Sequence, residues 1–311
     1  MKTIFFGSPQ FAVTALEALV ADSRFELVGV VTQPDQPVGR KKVLTPPPVK
    51  SYAVSLGLKV LQPDRLRDEA VAQILELKPE LAVVVAYGNM IPKRLLEALP
   101  RGFVNIHPSL LPKYRGASPL TATILAGDKE TGICLMVLDE GMDHGPVIAC
   151  HKVALDDNET TSTLALKLAP IGAEMLKKEL VDFLDGKIIP QEQNHSEATF
   201  CKMVESEDAR INWSKSAVEI DRLVRAMKGV TPPWAILDQH TVLIHKMSLL
   251  PASPAGMNEI AGTILEVDKK LAVAAIGGCL AIDEIQPSGG KLMSGQAFLN
   301  GHRDIIGKIL A

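Results

Sequence analysis

The chain contains 311 residues, of which 47% are hydrophobic and 22% are charged, and its formal net charge is −3 at pH 7. Such a composition is typical of a globular protein with a sizeable core, and the length suits two domains or one large one. The weak negative charge excludes a global attraction to nucleic acid, so a nucleic-acid partner would require a local basic patch.

Cysteine spacing and hydropathy predict a cytoplasmic protein that has no membrane partner. The four cysteines show no CxxC spacing, which argues against both a disulfide framework and a zinc site and favours a reducing compartment. They are Cys134, Cys150, Cys201 and Cys279. No apolar run reaches the roughly 18 to 20 residues that span a bilayer, and the strand-like first residues are too short for a secretion signal.

Short apolar segments alternate with helical spacing through the first half of the chain. Strands are predicted at residues 3–6, 27–31, 81–86 and 102–106, and a helix at 11–21. The third of these strands has no polar alternation, which indicates a strand covered on both faces, as in parallel sheets. The pattern predicts an α/β, doubly wound, mainly parallel, Rossmann-like sheet. Because ligands of such sheets bind beyond the carboxyl ends of the strands, Gly7, Tyr87-Gly88 and His107 are expected to line one crevice.

The second half changes from helical to strand spacing after a polar segment. Strands at 132–138 and 146–153 and a long amphipathic helix at 160–184 precede that segment. A helix that ends near Met227 follows it, and then strands at 234–237, 241–247, 262–267, 271–275, 279–286 and near Ala297. Short strands at this density predict a small OB-like β-barrel. The predicted organisation is a catalytic domain at 1–189, a linker at 190–206 and a barrel domain at 207–311.

Residues 105–112, which read Asn-Ile-His-Pro-Ser-Leu-Leu-Pro, are the most informative segment of the chain. Side chains two residues apart in a strand project to the same face, so Asn105 and His107 would point together beyond the strand end. Pro108 and Pro112 then stiffen the loop that follows. Two hydrogen-bond donors on a rigid strand end suit the polarisation of a carbonyl oxygen. The alternative is that both residues only cap the strand, and the segment alone does not decide between the two.

Asp143 lies in a glycine-rich loop at residues 139–145. A carboxylate within reach of an imidazole would keep His107 charged and hold its orientation. Taken alone, the position favours the alternative, a turn aspartate that binds nearby backbone amides. His144 adjoins Asp143 but is expected to point elsewhere, whereas His151 and His195 have no supporting pattern and are expected to be surface or packing residues.

Other motifs argue against nucleotide and metal chemistry. Gly7-Ser8-Pro9 follows the first strand, but the GxGxxG pattern is absent, so a nicotinamide-dependent enzyme is disfavoured. No Walker loop, HExxH motif or EF-hand pattern is present, and no metal is required.

A polar loop at residues 32–42 carries three successive cations, Arg40, Lys41 and Lys42, and runs into three prolines. A charge cluster is usually a solvated face. This loop is longer than most connections between a strand and a helix, and it lies beside the predicted crevice. It therefore makes nucleic-acid phosphate a credible partner.

Taken together, the 105–112 segment and Asp143 in its loop resemble the 10-formyltetrahydrofolate-dependent formyltransferases. Further segments narrow the resemblance to the methionyl-tRNA formyltransferase branch of that family. They are Phe6-Gly7-Ser8-Pro9, Gly39-Arg40-Lys41-Lys42, Ile211-Asn212-Trp213, Gly229-x-x-Pro232-x-x-Ala235 and Phe298-Leu299-Asn300-Gly301. They occur in order and cover nearly the whole chain.

The resemblance implies transfer of the formyl group of 10-formyltetrahydrofolate to the α-amino group of initiator methionyl-tRNA. It implies that Asn105, His107 and Asp143 are catalytic, and that Ser109, Leu110, Leu111, Pro112, Tyr87 and Gly88 bind the folate. Direct attack by the amine forms a tetrahedral oxyanion, to which Asn105 and a protonated His107 would donate, each worth roughly 3 to 4 kcal/mol. Asp143 would help to remove the proton of the amine.

The same resemblance assigns tRNA binding to Arg40, Lys41 and Lys42 and to the barrel domain. Residues 207–311 carry 11 basic and 11 acidic residues, so binding there depends on where the cations lie, and its affinity should fall with salt. We expect a monomer, since nothing demands more.

Three alternatives were weighed against this function. A sibling enzyme could formylate an amino-sugar nucleotide or glycinamide ribonucleotide, but the basic loop and the second domain argue against a small acceptor. Hydrolysis or oxidation of the formyl-folate is disfavoured because the chain has no appended dehydrogenase-sized domain. A non-catalytic tRNA-binding protein is disfavoured by the intact set of three site residues.

Overall fold

The computed structural model describes residues 1–39, 42–251 and 259–311. It divides into two compact units. Unit 1 comprises Met1–Pro119, Glu130–Ala154 and Ala165–Lys202, and unit 2 comprises Leu120–Lys129, Leu155–Leu164 and Met203–Ala311. Among the described residues, no helix combines the length and the apolar character needed to cross a bilayer.

Eleven strands lie in the described part of unit 1. They are β1 (Lys2–Gly7), β2 (Glu26–Val31), β3 (Gln36–Val38), β4 (Val43–Thr45), β5 (Val60–Leu61), β6 (Leu81–Val85), β7 (Phe103–His107), β8 (Arg115–Gly116), β9 (Glu130–Val137), β10 (Val147–Ala154) and β11 (Phe200–Cys201). The helices up to residue 184 are α1 (Gln10–Val20), α2 (Pro48–Ser55), α3 (Asp68–Glu76), α4 (Lys93–Leu96), α5 (Pro119–Ala126), α6 (Thr161–Lys177) and α7 (Glu179–Leu184).

The main sheet of unit 1 has seven strands in the order β10-β9-β7-β6-β1-β2-β5. The pairs from β7 to β5 are parallel, and β9 and β10 add two antiparallel strands at the other edge. Every residue of β6 and β7 is buried, as expected for the interior of such a sheet. This is the mainly parallel α/β architecture that the strand pattern predicts.

An aromatic cluster links the three central strands. The ring of Phe6 on β1 lies 5.4 Å from that of Tyr87 in an edge-to-face arrangement, and 5.7 Å from that of Phe103. Such pairs add to the free energy gained by burial. They pack the carboxyl ends of β1 and β6 against the first residue of β7.

Unit 2 contains a curled antiparallel sheet in the order β12-β13-β16-β15-β14, with β17 paired to β16. Its elements are α8 (Ala217–Met227), β12 (Trp234–Leu237), β13 (His240–Leu249), β14 (Ile264–Val267), β15 (Lys270–Ala275), β16 (Gly278–Pro287), β17 (Met293–Ser294) and α9 (Gly295–Gly301). Residues 308–311 bridge the two edge strands. The Leu310 amide donates to Gly262, beside β14, at 2.9 Å, and Ala311 exchanges two backbone hydrogen bonds with Ile236 of β12. The predicted OB-like second domain is confirmed in its strand architecture.

Helix α8 covers this sheet because its sequence fixes both its start and its buried face. The Ser216 hydroxyl accepts from the Glu219 amide at 3.2 Å, while the Glu219 carboxylate accepts from the Ser216 amide at 3.0 Å. This capping box satisfies amides that have no partner within the helix. Ile220 and Val224, one turn apart, are buried in the unit 2 core.

Three predictions about these elements are wrong. The segment near Ala297 is helix α9 and not a strand, because the Ser294 hydroxyl caps it by accepting from the Ala297 amide at 3.2 Å. The single helix predicted at 160–184 is divided into α6 and α7 at Lys178. Cys134 and Cys150 form a disulfide because the β9–β10 register places them directly opposite each other, which their sequence spacing does not reveal.

The segment predicted as a linker is structured in its first part. Gln191 exchanges two backbone hydrogen bonds of 2.8 Å with Val147, and β11 pairs in parallel with β8, so residues up to Lys202 belong to unit 1. The domain limits at residues 189 and 207 stay a prediction.

Gly132 provides a test of the packing beneath the 105–112 loop. A Cβ atom at Gly132 would overlap the His151 carbonyl oxygen and the Leu110 side chain. We expect Gly132→Ala to lower the free energy of unfolding by roughly 1 to 3 kcal/mol, the usual cost of overpacking. Chemical denaturation measures it.

The matched control is Gly301→Ala. Apart from its chain neighbours and the backbone of its own helix, no atom of the described residues lies within 4 Å of a Cβ at Gly301, and its φ is outside the left-handed range. This substitution should leave the stability unchanged or raise it by up to about 1 kcal/mol. Equal stabilities of the two variants would contradict the packing described here.

Candidate functional site

Strand β7 presents Asn105 and His107 on one face, at the junction between the parallel and antiparallel parts of the sheet. Asn105 pairs with Val84 of β6 and Met136 of β9, and His107 pairs with Cys134 of β9. Both residues are buried, with exposed fractions of 8% and 3%. The backbone of Asn105 is therefore held on both sides of the strand, and that of His107 on the side of β9.

The His107 ring is held between a carbonyl and a carboxylate. Its Nε2 lies 3.0 Å from the Tyr114 carbonyl oxygen, and its Nδ1 lies 3.5 Å from Asp143 Oδ2. A carbonyl oxygen can only accept, so Nε2 carries the hydrogen. In the neutral ring, Nδ1 then keeps its lone pair and faces Asp143.

The two loops that meet His107 adopt unusual backbone conformations. Tyr114 and Asp143 have φ values of 58° and 45°, in the left-handed region. Asp143 Oδ2 accepts from the Gly116 amide at 2.7 Å, and a Cβ at Gly116 would overlap the Cys201 carbonyl oxygen. Such conformations persist only where the surroundings determine them, and they cluster at functional sites.

Burial lowers the pKa of His107 from its ordinary value of 6.5. The negative charge of Asp143 and the hydrogen bond with Tyr114 raise the pKa, but they do not offset burial, and the nearby Arg115 lowers it further. The lowered pKa favours the neutral form of the imidazole. This differs from the expectation that Asp143 keeps His107 charged.

Asn105 has an uncommitted side chain. Within the described part of the chain, its carboxamide makes no hydrogen bond, although 92% of the residue surface is buried. Its amide atoms are not among the fully buried unpartnered atoms of the described residues, so they reach solvent and keep their donor and acceptor for a ligand.

The residues predicted to bind the folate differ in what they can offer. The Ser109 hydroxyl donates to the Lys113 carbonyl at 2.6 Å, so it closes the turn. Leu110, Leu111 and Pro112 are partly exposed.

The ring of Tyr87 is in the core, where burial raises the pKa of its hydroxyl, and its carbonyl accepts from Gln33 at 3.0 Å. Gly88 is exposed and left-handed, with φ of 87°. Any contact that Tyr87 makes with a ligand in the crevice would involve its backbone.

The basic loop forms a hairpin of β3 and β4, which follows the carboxyl end of β2. Arg40 and Lys41 lie outside the described residues. Lys42 is exposed, with φ of 47°, and its amide donates to the Gly39 carbonyl at 3.1 Å.

A buried polar layer behind Asp143 has no signal in the sequence. Gln193 bridges Arg115 to the Asp143 loop, and Arg115 also donates to His195 Nδ1 at 2.9 Å. The His195 ring stacks on His144 at 4.0 Å, and His144 pairs with Asp139 at 2.6 Å. His195 is exposed and His144 is partly exposed, so they extend this network from the buried Arg115 and Gln193 toward solvent, and His195 is a surface residue as expected.

The described residues contain no group of three His, Cys, Asp or Glu side chains that could hold a metal ion.

Family profiles match both parts of the chain. The profile described as "Formyl transferase" matches residues 1–180, and "Formyl transferase, C-terminal domain" matches residues 203–303.

Relatives named methionyl-tRNA formyltransferase match over nearly their whole length. The protein of Roseiflexus castenholzii is 44% identical over 93% of this chain and 92% of its own length. That of Chloroflexus aurantiacus is 43% identical over 98% and 99%, and that of Bacillus pumilus 39% identical over 99% and 97%.

Solved structures share the fold at lower identity. An N-formyltransferase from Helicobacter canadensis, in complex with folinic acid and dTDP-3-aminofucose, has a TM-score of 0.65 at 20% identity, over 91% of this chain and 99% of its own. HypX from Aquifex aeolicus in complex with tetrahydrofolic acid has a TM-score of 0.65 at 15% identity, over 98% of this chain and 48% of its own. The two profile matches and the full-length relatives show that this chain belongs to the formyl transferase family of enzymes.

Proposed function

We propose that the enzyme transfers the formyl group of 10-formyltetrahydrofolate to the free α-amino group of initiator methionyl-tRNA. The observation that carries this proposal is that Asn105 and His107 share one face at the end of β7, where Asp143 lies against His107. An uncommitted amide donor lies there on the same strand face as a neutral imidazole backed by a carboxylate. The names of the full-length relatives support both the reaction and the acceptor.

The geometry suits attack by a neutral amine on the formyl carbon. As the new carbon–nitrogen bond forms, the formyl oxygen gains negative charge, and the Asn105 amide donates to it. The amine must lose a proton, and Nδ1 of His107 is the only ring nitrogen that can accept one, since Nε2–H is bound to Tyr114.

Asp143 then stabilises the imidazolium that forms. The proton passes to N10 of tetrahydrofolate as the bond between N10 and the formyl carbon breaks. No covalent intermediate with the protein is needed.

The β3–β4 hairpin supports a nucleic-acid acceptor. It places Lys42 in solvent on a segment that leaves the carboxyl edge of the sheet, the edge where ligands of doubly wound sheets bind. We propose that Arg40, Lys41 and Lys42 contact the phosphates of the tRNA.

The acceptor can be identified by comparing two acceptors in separate reactions. Purified protein is incubated with 10-formyltetrahydrofolate and either charged initiator tRNA or an amino-sugar nucleotide, and the formylated product is measured. We expect formyl-methionine on the tRNA and no formylated sugar. Asn105→Ala should lower kcat by roughly 10²- to 10³-fold, because it removes one oxyanion donor. Product from the sugar alone would overturn the proposal.

The state of His107 predicts a pH dependence. The neutral ring is the working form, so kcat/KM should fall as the pH drops through a pKa that lies below 6.5. Asp143→Asn keeps the shape and tolerates the left-handed φ, but it removes the charge that raises the pKa of His107. The acid limb should therefore move to lower pH, and kcat on the plateau should fall.

The control for this prediction is Glu140→Gln, an exposed carboxylate in the same loop. Its pH profile should match that of the native enzyme. An NMR titration of the His107 ring measures the pKa directly. An acid limb that moves to higher pH in Asp143→Asn would contradict the assignment.

Lys42 is expected to act in tRNA binding and not in folate binding. Lys42→Asn retains a residue that tolerates φ of 47° and removes the charge. The KM for tRNA should rise, and the slope of log KM against log salt should fall by about 1, as for the loss of one phosphate contact.

Lys59→Asn is the charge-matched control. Lys59 is exposed and directly precedes β5, the strand at the outer edge of the same sheet. It should leave both KM values unchanged. An equal rise in the KM for folate in the Lys42 variant would contradict this division of roles.

A further inference from the structure

We infer that Gln193 is a positioning residue, which holds the Asp143 loop in the conformation that brings the carboxylate to His107. The inference rests on the proposed function, because it assigns Gln193 a role through Asp143. Gln193 is 92% buried and comes from the segment that the sequence predicts to be a linker.

Each polar atom of the Gln193 carboxamide has its partners. Its Nε2 donates to the carbonyl oxygens of Asp143 and Gly145, at 2.9 and 2.7 Å. An amide nitrogen has two hydrogens, so both are used. One side chain therefore ties together the backbone on both sides of residue 144.

Arg115 fixes which way round the carboxamide lies. Its Nε and Nη2 donate to Gln193 Oε1, at 3.2 and 2.7 Å. A guanidinium has no acceptor, so the oxygen of the amide must face Arg115 and the nitrogen must face the loop.

The buried guanidinium has no anionic partner. Arg115 is 97% buried, and among the described residues its side chain binds only Gln193 and His195. A carboxylate in place of the Gln193 amide would form an ion pair there. A neutral amide suits the position better because a carboxylate would repel the two carbonyl oxygens.

The Asp143 loop needs this restraint because its conformation is unfavourable by itself. Asp143 has φ of 45°, and Gly145 lies where a Cβ atom would overlap the Val137 carbonyl oxygen. Left-handed conformations of residues other than glycine persist only when contacts determine them. The Gln193 bonds hold the two carbonyls, while the Gly116 amide holds the carboxylate.

The test uses two variants of the full-length enzyme, Gln193→Glu and Gln193→Met. The first keeps the shape and reverses the polarity toward the two carbonyls, and the second removes the hydrogen bonds and keeps the length. Displacement of a catalytic group by about 1 Å can lower the rate by about 10²-fold, so we expect kcat to fall by roughly 10- to 100-fold. Both KM values should stay within twofold of the native values.

A double-mutant cycle separates positioning from a general structural role. If Gln193 acts through Asp143, adding either substitution to Asp143→Asn should lower kcat by less than twofold, because the group that it positions is already lost. Gln191→Glu is the matched control and should retain native kcat. Gln191 is an exposed glutamine two residues away, and its side-chain amide donates to the Ile189 carbonyl.

The outcomes are distinguishable. Additive losses in the cycle, or native kcat per folded molecule together with a lower melting temperature, would overturn the role of Gln193. If Asp143→Asn itself keeps native kcat, or the native enzyme forms no formyl-methionyl-tRNA, the proposed function fails first and the inference with it. Gln193→Met preserves the test if the glutamate variant does not fold.

Discussion

The site depends on one constraint, which is that the surroundings of the buried His107 imidazole set its protonation state. The Tyr114 carbonyl takes the hydrogen of His107 Nε2, and burial disfavours a second proton. What remains is one lone pair on Nδ1, directed at Asp143. A charged imidazole would be a donor from the start, whereas a neutral one can first act as a base and then become the donor. In the proposed mechanism, the fold therefore sets the order of the proton transfers.

Placing that imidazole requires three separate parts of unit 1. The strand β7 supplies the ring, the turn that ends in β8 supplies the Tyr114 carbonyl and the Gly116 amide, and the 139–145 loop supplies the carboxylate. The turn and the loop contain Tyr114 and Asp143, whose left-handed conformations are unfavourable without such contacts. The segment at 191–201 joins them, through Gln193 on one side and the β8–β11 pair on the other. A stretch without helical or strand periodicity is thus part of what makes the site rigid.

The parts of this molecule that sequence could predict are those governed by a local period. Strand periodicity places Asn105 and His107 on one face, and uninterrupted apolar runs identify the parallel sheet. The role of Asp143 follows only from the family resemblance, because an aspartate in an ordinary turn has the same local sequence pattern. Arg115 and Gln193 could not be predicted, because a buried polar pair 78 residues apart is defined only by the packing of two loops. The same holds for the Cys134–Cys150 pair, which depends on strand register, and for the neutral state of His107, which depends on burial.

The bridge that residues 308–311 form across unit 2 also bears on how the chain folds as it is synthesised. Ala311 binds Ile236, and Leu310 binds Gly262, so the edges of the curled sheet are joined by the last residues of the sequence. On the ribosome, β12 to β17 can pair in order, but both edge strands keep unpaired backbone groups until residues 308–311 emerge. Unit 1, whose last residue is Lys202, has been synthesised in full about a hundred residues earlier. The nascent chain therefore passes through a stage in which all of unit 1 has been made while unit 2 still exposes two open sheet edges.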